Sequence, residues 1–258
     1  MRKILLTTVG VTALAVSANA TDFTLSGTAK VQVADDGNTS VSVATAIGVS
    51  KTFDNGMVLS LSNNNLTNAG ELTIKSDAVS VTFGDFDQNE KAPGLNGNSA
   101  ASDISSDGIT HSSDAGGISL GATVAGMGIG AAMNNEGDTM FGGSFTSDMG
   151  GMAVTIGGDV YSDNTSSADQ TTMGVSANLG ALTIVAHSKQ VEAAAGTDTV
   201  SYSAAYTTGG LVIGFQGNDA DASSYSATYT VVPGMQFEIG SQDNGTTSTS
   251  SAELQMTF

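Results

Sequence analysis

Gly117-Ile118-Ser119-Leu120-Gly121 spells G-x-S-x-G, the spacing of a serine nucleophile, and the chain has two histidines, His111 and His187, that could act as its base. That chemistry requires a strand–turn–helix elbow, a positioned His and an oxyanion hole. No helical pattern follows Ser119, and the stretch lies inside an alternating apolar and polar segment. With 33 glycines in the chain the pattern arises by chance, and no enzymatic activity is expected from it. Carboxylates offer a second chemistry. Asp219 and Asp221, together with the acidic residues between 87 and 116, carry the hard oxygen ligands that Ca²⁺ takes. The EF-hand pattern is absent for want of its Gly and terminal Glu. These groups therefore read as solvated loop charge, with Ca²⁺ as the alternative. Cys is absent, and neither a His pair nor a phosphate-binding glycine loop points to another cofactor.

The elements that would hold such residues follow from composition and pattern. Residues 1–20 begin with Arg2 and Lys3, continue as an apolar stretch from Ile4 to Val16, and close on Ala18-Asn19-Ala20. This is the layout of a cleaved secretory signal peptide, too short in its apolar part to span a bilayer. The expected mature domain is 21–258. It has five lysines, no arginine and 25 acidic residues, a formal net charge of −20. Nucleic acid is thereby excluded as a partner, because phosphate binding needs clustered Lys and Arg. An exported chain with no disulfide must be held by a large core or a closed hydrogen-bonded sheet.

Apolar and polar residues alternate with period two to the end of the chain. Leu211, Ile213 and Phe215 share one face, as do Tyr225, Ala227, Tyr229 and Val231, and Ala252, Leu254, Met256 and Phe258. Sixteen such segments, from 22–34 to 248–258, predict sixteen strands. Fourteen is the alternative if 70–76/78–86 or 117–125/127–134 merge. Their connections alternate in length. Tight turns fall at Asp54-Asn55-Gly56, Ser76-Asp77, Gly126, Met149-Gly150, Gly180, Gly209 and Pro233-Gly234, with looser polar loops between them. This rhythm predicts an antiparallel up-and-down sheet. One connection, Asp87 to Gly116, is far longer than the rest, and structureless segments of that length are usually functional.

The polar face decides what the apolar face touches. It is built from Ser, Thr, Gly, Asn and Gln, and aromatics make up only 5% of the chain. A packed sandwich needs bulky residues on its inward face. The opposite arrangement fits: apolar side chains against lipid, small polar ones around a wet lumen, and a sheet that closes because lipid cannot satisfy an open edge. The alternative is a secreted or surface-layer acidic β-rich adhesin without a channel. No fixed-period repeat supports a solenoid of that kind.

The leader, the successive amphipathic strands, the final strand AELQMTF and the run VTFGDFDQNEKAPGLNG that enters the long segment together resemble a Gram-negative outer-membrane porin of the alphaproteobacterial, Rhodobacter-like type. The resemblance implies a 16-stranded barrel, a homotrimer in outer-membrane lipid, and a long third loop folded into the pore. It also implies that Phe258 belongs to the signal read by the outer-membrane assembly machinery. The function implied is passive diffusion of ions and small hydrophilic solutes.

The candidate filter follows from alternation and loop position. The constriction-loop candidates are Asp87, Glu90, Lys91, Asp103, Asp107, His111 and Asp114. Lys30, Glu71, Lys75, Asp159, His187, Lys189, Glu238 and Glu253 fall on the polar face. Porin constrictions often set an arginine cluster against loop carboxylates. Here only Lys30, Lys75 and Lys189 stand on the wall, so the expected pore prefers cations. Lys51 falls on the apolar face, where its stem can snorkel to a rim.

Overall fold

The computed structural model describes residues 21–34, 39–63, 71–84, 91–92, 116–164, 169–192 and 198–257. The leader at 1–20 and the terminal Phe258 lie outside them. All regular structure in these residues is β-strand. In chain order the strands are β1 (Thr21–Ala34), β2 (Thr39–Thr52), β3 (Val58–Asn63), β4 (Glu71–Lys75), β5 (Val79–Gly84), β6 (Gly117–Val124), β7 (Met127–Asn134) and β8 (Thr139–Asp148). They continue as β9 (Ala153–Ser162), β10 (Asp169–Leu179), β11 (Leu182–Glu192), β12 (Thr199–Thr208), β13 (Leu211–Asn218), β14 (Ser223–Val232), β15 (Met235–Asp243) and β16 (Ser248–Thr257). Each pairs antiparallel with its sequence neighbours, and β16 returns to β1 to close the barrel. The segments around 70–86 and 117–134 are separate strands, so the count is sixteen.

Alternation along each strand sorts side chains between the two faces of the wall. Ile156 and Val160 on β9, Phe141 and Phe145 on β8, and Met173 on β10 are all more than half exposed on the outer face. Among the described residues only six apolar side chains are buried, against thirteen polar or charged ones. A water-soluble core would show the reverse ratio. The outer face is apolar all round, the surface of a barrel that crosses a membrane with strands. Lys51 lies on this face, its ammonium 5.5 Å from the Phe53 ring centroid, next to the β2–β3 turn.

The tight turns all lie at one end, with the first residue of β1 and the last of β16. The β6–β7 turn has only two residues between the partners Val124 and Met127. Both take left-handed backbone, Ala125 at φ 51° and Gly126 at φ 80°, as a type I′ hairpin turn demands. A Cβ on Gly126 would lie 2.9 Å from the Thr146 carbonyl oxygen, so glycine is required there by space as well. Ala125 carries the left-handed penalty that glycine avoids. Ala125→Gly should stabilise the barrel by up to about 1 kcal/mol, measured as a higher urea midpoint for the refolded protein in detergent.

The closing seam holds Thr28 to Ala34 of β1 against Thr257 to Ser251 of β16. On its inner side Lys30 Nζ lies 3.2 Å from Glu253 Oε1, the one ion pair among the described residues. Glu253 stands directly opposite Glu238 on β15, and both carboxylates are buried. Like charges placed across a ladder repel, so the Lys30 ammonium offsets a cost at the joint. Lys30→Gln should lower stability by about 1–3 kcal/mol, because Glu253 loses its cation. Adding Glu253→Gln should recover part of it. Urea unfolding of the single and double variants checks both.

Candidate functional site

Inside the barrel, β6 to β10 all carry glycines on the inner face, with Gly121 opposite Gly130 and Gly157 opposite Gly174. Gly128, Gly142 and Gly157 all fall on the inner face of adjacent strands. The space they leave is taken by Lys91, from the long segment between β5 and β6, and by side chains of β8 and β9. A Cβ on Gly157 would overlap the carbonyl oxygen of Lys91, and one on Gly142 would overlap the carboxylate of Asp159. The stem of Lys91 passes over Gly128, its Cδ 3.6 Å from where a Cβ would stand. The three glycines form a trough that receives the Lys91 backbone at Gly157, its stem at Gly128 and the Asp159 carboxylate at Gly142.

Asp159 fastens that backbone. The Lys91 amide donates to Oδ1 at 2.8 Å and Oδ2 at 2.9 Å, and the Ala92 amide donates to Oδ2 at 2.6 Å. The Thr172 hydroxyl donates to the same Oδ2 at 3.4 Å. Asp159 is 1% exposed. A buried carboxylate survives only when its lone pairs are satisfied, and donors from an ionised acceptor's neighbours form the stronger class of hydrogen bond. Two successive amides on one carboxylate fix both position and direction of the segment. Lys91 and Ala92 of the long connection therefore lie inside the barrel, docked on the β9 wall.

Around this anchor the wall is layered. Towards the loop end, Ala132, Met140 and Tyr161 form a small buried apolar patch on the inner face of the same three strands. At the rim beyond it, Asn134 Nδ2 donates to Asp138 Oδ2 at 2.9 Å, and Asn134 Oδ1 accepts from the Glu136 and Asp138 amides. The Asn164 amide donates to Asp138 Oδ1 at 2.9 Å, which ties the β7–β8 loop to the residues after β9. The sector beneath the anchored segment is thus cross-braced at its mouth.

The predicted wall residues all lie on the inner face, but in different surroundings. Asp159, Thr172 and Lys189 are successive register partners across β9, β10 and β11. Lys189, His187, Glu238 and Glu253 are buried, as are Ser201, Ser203, Gln216 and Ser224 along the following strands. Lys30, Glu71 and Lys75 on β1 and β4 are accessible. Glu71 is oriented by the Thr73 hydroxyl, which donates to Oε1 at 2.7 Å. Among the described residues the accessible predicted wall groups therefore lie in the β1–β5 sector, the buried ones from β9 to β16. Of the loop candidates, Lys91 is described; Asp87, Glu90, Asp103, Asp107, His111 and Asp114 lie outside the described residues.

The other sequence signals resolve simply. Ser119 is buried on the inner face of β6, in register with Thr82 and Ala132. It stands mid-strand, without the turn that a nucleophile elbow needs. Asp219 and Asp221 occupy the β13–β14 loop, which Asn218 organises by accepting the Ala220 and Ala222 amides on Oδ1, each at 3.0 Å. Among the described residues no three His, Asp or Glu side chains converge as metal ligands. The glycine trough was not anticipated, although its signal was present: Gly at inward parity in three successive strands.

A closed sixteen-stranded barrel with an apolar outer face, and with Lys91 and Ala92 of its third long connection held on the inner wall, has the porin fold. Solved structures agree. A triple variant of the Rh. blastica porin superposes with a TM-score of 0.67 at 16% identity, covering 92% of this chain and 100% of that one. A second triple variant, of the Rhodopseudomonas blastica porin, gives 0.64 at 14% identity over the same shares. No protein-family model matches the chain, and no curated relative does.

The anchor makes a direct expectation. Asp159→Ala leaves the Lys91 and Ala92 amides without their acceptor, at about 1–3 kcal/mol for each buried donor left unmet. Cleavage after Lys91 by trypsin should accelerate at least about tenfold while the circular dichroism of the barrel is retained. Equal cleavage rates in the variant and the parent would rule out the anchoring role.

Proposed function

We propose that this protein is a porin of a Gram-negative outer membrane, a passive aqueous channel for ions and small hydrophilic solutes. The observation that carries the reading is the Lys91–Ala92 backbone clamped by Asp159 on the inner wall of a barrel whose outer face is apolar. Chain held against the inner wall narrows the lumen at that point, and a narrowed lumen sets a size limit. Likeness in fold to solved structures named as porins supports the same reading. A secreted adhesin would have no reason to turn its large apolar side chains outward.

The channel is proposed to prefer cations. Support comes from the 25 acidic residues against five lysines in 21–258, since a low-dielectric wall focuses the field of its charges into the lumen. The carboxylates proposed to set this field are Asp87, Glu90, Asp103, Asp107 and Asp114 of the long segment, with Glu71 and Glu238 on the wall; Glu253 is neutralised by Lys30. His111, His187 and Lys189 are proposed as further lining groups. A homotrimer, and recognition of Phe258 by the outer-membrane assembly machinery, complete the proposal by resemblance.

Single-channel recording of refolded 21–258 in a planar bilayer under a KCl gradient tests it. Discrete conductance steps with a reversal potential on the K⁺ side are expected. Steps with a chloride-side reversal would remove the cation filter. A folded barrel that produces no steps would remove the channel.

A further inference from the structure

The five lysines of the mature chain have distinct environments. Lys30 is paired with Glu253, Lys51 lies outside the barrel by Phe53, and Lys189 is buried on the inner wall among polar contacts. Lys75 and Lys91 remain. Neither ammonium has an ion-pair partner among the described residues, and both are accessible. They line one polar recess of about 220 Å³ on the inner side of the barrel, at its tight-turn end.

Three elements converge to build this recess. Lys75 is the last residue of β4, and the turn Ser76-Asp77-Ala78 closes one side. Ser80 at the start of β5 and Thr123 near the end of β6 add hydroxyls at inward parity, and Gly121 keeps the floor open. Lys91 arrives from the long segment, its backbone fixed by Asp159 and its stem laid across Gly128. The anchor thus delivers a cation to a lysine more than ten residues earlier in the chain. Asp77 also lines the recess, so the local balance is two ammonium groups against one carboxylate. Two lysines brought together without an ion-pair partner among the described residues favour an external counter-charge.

We propose that this recess is a binding subsite for a small oxyanion, the phosphate or carboxylate group of a passing solute, at the tight-turn mouth of the pore. Its volume is below the range of pockets that enclose whole drug-sized ligands, so it holds a charged group and leaves the rest of the solute in the lumen. Two ammonium donors and the hydroxyls of Ser80 and Thr123 match the several acceptor oxygens of such a group. The long-range field of the chain governs which ions enter; this subsite acts only at contact distance, within a Debye length of the mouth. The inference rests on the channel reading for its role, though not for its chemistry.

The test uses inorganic phosphate as the probe and the refolded barrel in detergent. Phosphorus NMR of phosphate should show saturable line broadening with the parent protein. Lys75→Gln and Lys91→Gln should each weaken the apparent affinity about tenfold, the loss of one charged hydrogen bond. Lys75→Arg should retain it, and Lys51→Gln, with the same change in net charge, should leave it unaltered. Displacement of phosphate by acetate would show a site for either oxyanion; retention against acetate would show one for phosphate. Absence of broadening, or broadening equal in the Lys75→Gln/Lys91→Gln double variant with intact circular dichroism, would overturn the subsite. Binding is read without conduction, so a barrel that binds phosphate but passes no current would remove the channel and keep the site.

Discussion

Backbone hydrogen bonding in a hydrocarbon solvent governs this structure. Each peptide group on the wall must find a partner within the sheet, because lipid offers none. Closure of β16 onto β1 meets that condition, and the remaining features follow from it. A closed sheet has two faces and no edges, so the period-two pattern has only two destinations. One face takes the large apolar side chains and the other takes Ser, Thr, Gly and charge. Stability resides in the ladders and the belt, and the interior is released from the need to pack. That release makes room in the lumen for a segment of chain with a separate purpose.

The described inner wall is of two kinds. On the β7–β9 side, glycines and the Asp159 carboxylate receive backbone, and the surrounding polar groups are buried. On the β1–β5 side, among the described residues, Glu71 and Lys75 are accessible. Charge in the lumen therefore serves two purposes. Asp159 and the Lys30–Glu253 pair are occupied in holding the molecule together, the first by binding amides and the second by easing the contact of Glu238 with Glu253. Lys75 and Lys91 are left over from structural duty. Counting charges by sign alone would merge these groups; sorting them by partner separates scaffold from lining.

Much of this was legible in the chain. Period-two alternation in segments such as Leu211–Phe215 and Tyr225–Val231 located the strands, and the alternation of tight turns with loops gave the topology. The inside-out arrangement followed from the small polar character of the inward face. Register was legible too, because a slip of one residue would turn Lys30 or Glu253 into lipid. What could not be read was occupancy. Parity places Asp159 on the inner face but does not reveal that Lys91 and Ala92, 68 and 67 residues earlier, donate to it. Nor does it distinguish Lys189, which is enclosed, from Lys75, which is open. Such differences depend on where a long aperiodic segment travels, and no local pattern encodes that path.

The glycine trough has a mechanical side. Gly143 and Gly158 are register partners on the outer face, so that rung lacks the cross-strand side-chain pair that stiffens a sheet. On the inner face Asp159 stands opposite Gly142 and Ser144 opposite Gly157, so each of these rungs carries a single side chain. The wall at this level is thin, a compliant window in a better braced cylinder. Lys91 and Ala92, held by Asp159, lie against it from within, the Lys91 carbonyl standing where a side chain on Gly157 would. The two residues that the carboxylate holds in place also splint the wall they rest on.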